Sequence, residues 1–142
     1  MSGAFDRVSA RRLLEKLEHK GIPPALRGVF ESWLRDRSAK VVVGGGQSAP
    51  MTMRNMVFQG TVWGPTLWNL FFEDSREPVN EAGFEEAVYA DDLNAFREFD
   101  RAEEDSTIVE DCRKLQGGLH ARGHANQEVF DPCKESIHVL GP

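Results

Sequence analysis

The chain is poor in the features that define several protein classes. Only two cysteines, Cys112 and Cys133, occur in 142 residues, which argues against a disulfide framework and makes a reducing compartment the default. The expected setting is intracellular, nucleus or cytoplasm, and not secreted, because no charged-then-apolar start resembles a signal peptide. No apolar run approaches the ~20 residues that span a bilayer, which argues against a membrane partner. Internal repeats, low-complexity tracts and long linkers are absent, so solenoids and tethered arrays are excluded. What remains is ordinary for a globular chain, with 40% hydrophobic and 28% charged residues and length for at most one domain around one modest core.

Charge is unevenly placed. The net −6 divides at Phe71 into a first part of +5 and a remainder of −11. A nucleic-acid binder normally shows a basic footprint. Only the first part offers one, through Arg7, Arg11, Arg12, Arg27, Arg35, Arg37, Lys40 and Arg54. Scattered cations of this kind are more often solvated surface than a binding stripe.

Periodicity gives the organisation. Ser9 can cap a first helix through about Lys20, with Leu13, Leu14 and Leu17 on one face and Gly21 as a stop. Pro23 and Pro24 open a second helix, in which Leu26, Phe30, Trp33 and Leu34 form an apolar stripe. Residues 40–43 read as a strand, Gly44-Gly45-Gly46 as a turn and residues 51–58 as the return strand. Those glycines are hairpin punctuation and no phosphate loop, since Gln47-Ser48 replaces the Lys-Ser/Thr such a loop requires. Gly64-Pro65 starts a third, strongly apolar helix, which Pro78 ends or kinks. A helix over about 103–119 places Ile108, Cys112, Leu115 and Leu119 on one face. Gly117-Gly118 inside it costs roughly 1 kcal/mol per residue against alanine. Short strands at about 128–130 and 136–140 finish the chain. Helices interleaved with antiparallel hairpins predict an α+β layer, one sheet with helices on one face.

The lone tyrosine stands at the most informative position, Tyr89-Ala90-Asp91-Asp92. Val88 and Tyr89 before it, and Leu93, Ala95 and Phe96 after it, read as short apolar strands. Adjacent aspartates are poor strand formers and repel each other. At a tight turn, however, they concentrate negative charge at a rigid apex, as a hard divalent cation requires. Cys112, His120, His124 and Cys133 are zinc-binding types, and His120 and His124 have i, i+4 spacing. No Cys-x-x-Cys pair anchors that set, and Gly123 with Ala125-Asn126 weakens its helical geometry, so packed or surface residues are the expectation.

Four segments line up in order: Ala4-Phe5-Asp6, Phe58-Gln59-Gly60-Thr61-Val62-Trp63-Gly64-Pro65, Tyr89-Ala90-Asp91-Asp92, and Phe130-Asp131-Pro132-Cys133-Lys134. Their order and spacing resemble the palm of reverse transcriptases, particularly those of non-LTR retrotransposons, across essentially the whole chain. The resemblance implies an α+β fold with a palm-like antiparallel sheet, residues 1–142 forming a partial reverse transcriptase domain. It implies RNA-directed DNA polymerisation, with an RNA template, a DNA primer and deoxynucleotides as partners and Mg²⁺, or Mn²⁺, as cofactor.

The likeness also implies roles. Asp91 and Asp92 are the expected metal ligands and catalytic carboxylates, with Tyr89 beside them at the substrate. Phe5 resembles the aromatic gate that excludes a 2′-hydroxyl, and lies on a strand neighbouring the hairpin. Gln59 and Gly60 resemble the loop that holds template and incoming nucleotide. Lys134 resembles the lysine that protonates leaving pyrophosphate. The first motif in these elements is D-x-x-x-A-F-D, and counting back four from Ala4 reaches one residue before Met1. Asp6 matches the motif's second aspartate, not its metal ligand. The expectation is therefore a central piece of a polymerase, lacking fingers and thumb and inactive by itself. The rivals are a non-catalytic remnant or α+β interaction module, and an RNA-templated RNA polymerase, against which Phe5 and the Tyr-Ala-Asp-Asp turn argue.

Overall fold

The computed structural model describes residues 4–128 and 130–141. They form two compact units, one spanning Phe5–Glu73 and the other comprising Ala4 and the chain from Asp74 onward. The fold is α+β. Its strands make three separate two-stranded antiparallel ribbons among the described residues, where one continuous sheet was expected.

In the first unit, a single helical turn α1 (Ala4–Arg7) precedes α2 (Ala10–His19). Phe5 is therefore helical, and the expected strand there is corrected. The extended backbone begins only at Val8 and Ser9, and Ser9 bridges Asn55. Ser9 caps α2 as predicted, its side chain accepting from Arg12 N at 3.4 Å. At the other end Gly21 adopts φ +73°, its N–H donating to Glu18 O and that of Ile22 to Leu17 O. This pair of bonds satisfies the last carbonyls of the helix, and the left-handed residue is the one glycine supplies without strain. Helix α3 (Pro24–Leu34) starts on its proline and buries Phe30 and Leu34.

The expected 40–43 and 51–58 strands resolve into two short ribbons. Strand β1 (Arg37–Ala39) pairs with β4 (Met51–Met53), and β2 (Val42–Val43) with β3 (Gly46–Gln47), closed by Gly44 and Gly45 at positive φ. The return strand stops at Met53. Beyond it Met56 takes φ +123°, held by its N–H to Val8 O and by Arg37, whose guanidinium donates to Met56 O, both at 2.8 Å. Helix α4 (Gly64–Phe72) contributes more to the core than any other element of this unit: Leu67, Trp68, Phe71 and Phe72 are buried together with Val8, Leu13, Leu17 and Val57. Trp68 is central, stacked on Phe72 at 5.2 Å and on Phe5 at 5.1 Å.

The cations of this unit are largely engaged within it. Arg11 and Arg12 pair with Glu15, Arg27 with Glu18, and Arg35 with Glu31. Arg37 is caged by Leu34 O, Met56 O and the rings of Trp33 and Phe58, and burial pushes its pKa down. The apparent basic footprint is thus mostly intramolecular pairing.

In the second unit, a 3-10 turn (Glu73–Arg76) leads into α5 (Glu77–Glu81), which has Pro78 in its first turn. Pro78 therefore restarts a helix after α4 has ended at Phe72. Gly83, at φ +75°, closes α5 as Gly21 closes α2. Strands β5 (Glu85–Tyr89) and β6 (Asp92–Phe96) form the third ribbon. Helix α6 (Asp105–Asn126) is longer than the predicted 103–119. Its Gly118 and Gly123 are notches rather than breaks: a Cβ at Gly118 would meet Pro78 Cβ at 2.8 Å, and one at Gly123 would meet the Phe130 ring at 2.9 Å. The helix ends on Gln127 at φ +64°, with Glu128 N donating to Gly123 O at 2.8 Å.

Among the described residues neither C-terminal segment contains a strand. Glu128 and Phe130 are outside any strand, Val129 lies outside the described residues, and 136–140 is extended without a ladder. On α6, Asp111 accepts from Lys114 and Arg97, which hold its carboxyl below the usual range. Among the described residues no helix is long and apolar enough to cross a membrane.

Candidate active site

The β5–β6 ribbon places the two aspartates at its apex. The register runs from Glu85↔Phe96 to Tyr89↔Asp92, which leaves Ala90 and Asp91 as a two-residue loop. Ala90 has φ +54° whereas Asp91 does not have positive φ. A positive φ at the first loop position matches the twist that short hairpins need. Alternation along both strands is regular: Glu86, Val88, Leu93 and Ala95 are half-buried, and Tyr89, Asp92, Asn94 and Phe96 are exposed. Asp91 in the loop is half-buried and Asp92 is exposed beside Tyr89, itself 84% exposed. The paired register fixes the backbone of this loop, so two neighbouring carboxylate-bearing residues stand at the tip of the ribbon.

Carboxylate oxygen is the donor type that a hard cation takes. No group of three His, Cys, Asp or Glu that could hold a metal occurs among the described residues. Mg²⁺ usually takes one or two protein carboxylates and completes its shell with water and substrate phosphates, so the pair suits Mg²⁺. His120 and His124 do lie on one helix, contrary to the doubt raised by Gly123, but they belong to no such group.

Lys134 lies in the same unit, at the end of an exposed 3-10 turn (Pro132–Lys134). Asp131 organises that turn, accepting from Cys133 N at 3.1 Å through its side chain and from Lys134 N at 2.9 Å through its carbonyl.

Phe5, Gln59 and Gly60 belong to the other unit. Phe5 O accepts from Val57 N at 2.9 Å, so the first motif lies against the strand-like segment that leads into Gln59. Two motifs more than fifty residues apart in sequence are thereby joined. The Phe5 ring is half-buried on Trp68. Gln59 and Gly60 form an exposed turn with Gly60 at φ +82°. Thr61 fastens this loop: its Oγ1 donates to Phe58 O at 2.8 Å and accepts from Gly64 N at 3.1 Å. A Cβ on Gly64 would lie 2.7 Å from Phe58 O. Sequence reasoning did not assign this role to Thr61, although its place between Gly60 and Gly64 was the available signal.

The family described as reverse transcriptase (RNA-dependent DNA polymerase) matches residues 1–123. The RNA-directed DNA polymerase from mobile element jockey of Drosophila melanogaster is 40% identical over 94 residues, 63% of this chain and 10% of that protein. The probable RNA-directed DNA polymerase from transposon BS of the same organism is 38% identical over 98 residues, 66% of this chain and 11% of that protein. The chain thus spans about a tenth of the length of these relatives. No solved structure matches it. With a match over 123 of its 142 residues, the chain belongs to the reverse transcriptase (RNA-dependent DNA polymerase) family.

Proposed function

We propose that the chain is the carboxylate-bearing, palm-like part of an RNA-directed DNA polymerase of a non-LTR retrotransposon, extending a DNA primer on an RNA template with deoxynucleotides. The observation that carries this reading is the Asp91–Asp92 pair on a two-residue loop of an antiparallel ribbon, within a chain of this family. Mg²⁺ held by Asp91 and Asp92, or Mn²⁺ in its place, would supply Lewis acidity toward the primer hydroxyl and the nucleotide phosphates. In the reaction the primer 3′-hydroxyl loses its proton to water, its oxygen bonds to the α-phosphorus, the bond between that phosphorus and the α–β bridging oxygen breaks, and pyrophosphate leaves. The Lys134 ammonium donates its proton to that leaving oxygen. Gln59 and Gly60 hold template and incoming nucleotide, the exposed Gly60 backbone allowing close approach. Tyr89 faces the primer side of the hairpin, and Phe5 stands under the incoming sugar and rejects a 2′-hydroxyl.

The test is template–primer extension by a jockey-type polymerase in which this chain replaces the matching segment. Asp91→Asn should abolish synthesis, because an amide brings no charge to the cation. Phe5→Ala should raise the ratio of ribonucleotide to deoxynucleotide incorporation, a ratio insensitive to the folded fraction. Unchanged synthesis by Asp91→Asn would favour the non-catalytic module.

A further inference from the structure

Helix α6 and the segment beyond it are joined through one carboxylate. Glu135 directly follows the Pro132–Lys134 turn, and α6 engages both of its oxygens. Gln116 Nε2 donates to Oε2 at 2.7 Å, and His120 Nε2 meets Oε1 at 2.7 Å. Gln116 and His120 are four residues apart, hence neighbours on one helix face. The His120 and Glu135 side chains are only 33% and 31% exposed, so the contact is partly shielded from water. Hydrogen bonds to an ionised acceptor are the stronger class.

A second anchor precedes the turn. Phe130 packs at the Gly123 notch, and its ring centroid is 6.0 Å from that of His120. His120 therefore touches the segment at both of its ends. Between the anchors Asp131 ties the backbone of Cys133 and Lys134. A short segment held at both ends and capped in the middle leaves Lys134 little freedom except in its own side chain.

We propose that Gln116 and His120 are positioning residues for the polymerase reaction: by clamping Glu135 they fix the turn at 131–135 and hold Lys134 in place to protonate the leaving pyrophosphate. The inference rests on the role proposed above for Lys134. The clamp acts through Lys134, so its effect is on the rate of the chemical step and not on binding. Misplacing a catalytic group by about 1 Å costs on the order of a hundredfold, and a loosened rather than displaced group costs less.

The experiment separates the clamp from the role of Lys134. In the 142-residue chain with Cys112→Ser, a nitroxide on Cys133 reports the motion of the turn. Q116E sets two carboxylates against each other and should shift the label from slow to fast motion. Q116E/E135Q lets the new amide donate to the new carboxylate and should restore slow motion, while unchanged far-ultraviolet circular dichroism shows that the helix persists. In the chimeric polymerase, Lys134→Met should lower kcat roughly a hundredfold, within the range for general-acid catalysis. Q116E should lower kcat about tenfold with template–primer KM unchanged, and the double exchange should recover most of it. An unchanged label in Q116E overturns the clamp. Released motion with unaltered kcat, when Lys134→Met is impaired, overturns the positioning role. Full activity of Lys134→Met overturns the Lys134 reading, while the label still reports on the clamp.

Discussion

Tyr89 and Asp92 form the last cross-strand pair of the β5–β6 ribbon, with only Ala90 and Asp91 between them. That relationship converts an unfavourable local sequence into a defined one. The two aspartates that would weaken a strand interior sit where the ladder ends, and the ribbon's half-buried face of Val88, Leu93 and Ala95 holds the register.

The cost of the turn falls on Ala90, a non-glycine residue at φ +54°. Left-handed backbone disfavours a Cβ. Ala90→Gly should therefore stabilise the chain by roughly 0.5–1 kcal/mol, seen as a higher urea midpoint. A lower midpoint would show that Ala90 is not left-handed in solution.

Glycines of α6 should divide by their surroundings. A Cβ at Gly117 meets nothing within 4 Å, whereas at Gly118 it would strike Pro78 and at Gly123 the Phe130 ring. Gly117→Ala should stabilise by up to ~1 kcal/mol. Gly118→Ala and Gly123→Ala should each destabilise by about 1–3 kcal/mol, the cost of overpacking. Denaturant unfolding of the three variants decides the matter, and equal shifts would contradict the packing described.

The Arg37 cage predicts that lysine is no substitute. The guanidinium donates to Leu34 O at 3.1 Å and Met56 O at 2.8 Å while lying over Phe58 at 5.0 Å and Trp33 at 5.7 Å. An ammonium lacks the planar fork that reaches two carbonyls at once. Arg37→Lys should cost about 2 kcal/mol through the lost bonds and lower the thermal midpoint. An unshifted midpoint would mean the cage is not formed.

Asp111 should contribute to acid sensitivity. Hydrogen bonds from Lys114 and Arg97 lower its folded pKa. Over the pH range between the folded and unfolded pKa values the unfolded chain binds more protons, so stability rises with pH there. The contribution is complete above the unfolded pKa and is lost as pH falls through the folded one, from about pH 5 downward. Asp111→Asn should flatten this acid limb in stability measured against pH. An identical limb in the variant would assign the effect elsewhere.

The helices were legible because their signals are local. Ser9 and Gly21 bound α2, Pro23-Pro24 starts α3, and the apolar run after Gly64-Pro65 gives α4. The hairpin was legible for the same reason, since alternating residues flank an Asp-Asp turn. The failures depend on distant partners. Residues 136–140 have strand-like composition but no ladder, and strand propensity without a neighbour does little. The family motif places Phe5 on a strand, yet its turn is helical and its ring is taken up by Trp68, 63 residues away. Helix α6 outran its predicted end because Pro78 and Phe130 fill the notches at Gly118 and Gly123 that sequence alone reads as weaknesses.

The central claim is that Asp91 binds the catalytic cation, and a change of ligand tests it most directly. In the chimeric polymerase, Asp91→Cys replaces a hard oxygen donor by a soft sulfur donor. Extension should be lost with Mg²⁺ alone and partly recovered when a soft ion such as Cd²⁺ is added, following ligand softness. The unsubstituted chimera should gain nothing from that ion. Equal loss in every metal, or full activity of Asp91→Cys with Mg²⁺, would contradict the assignment.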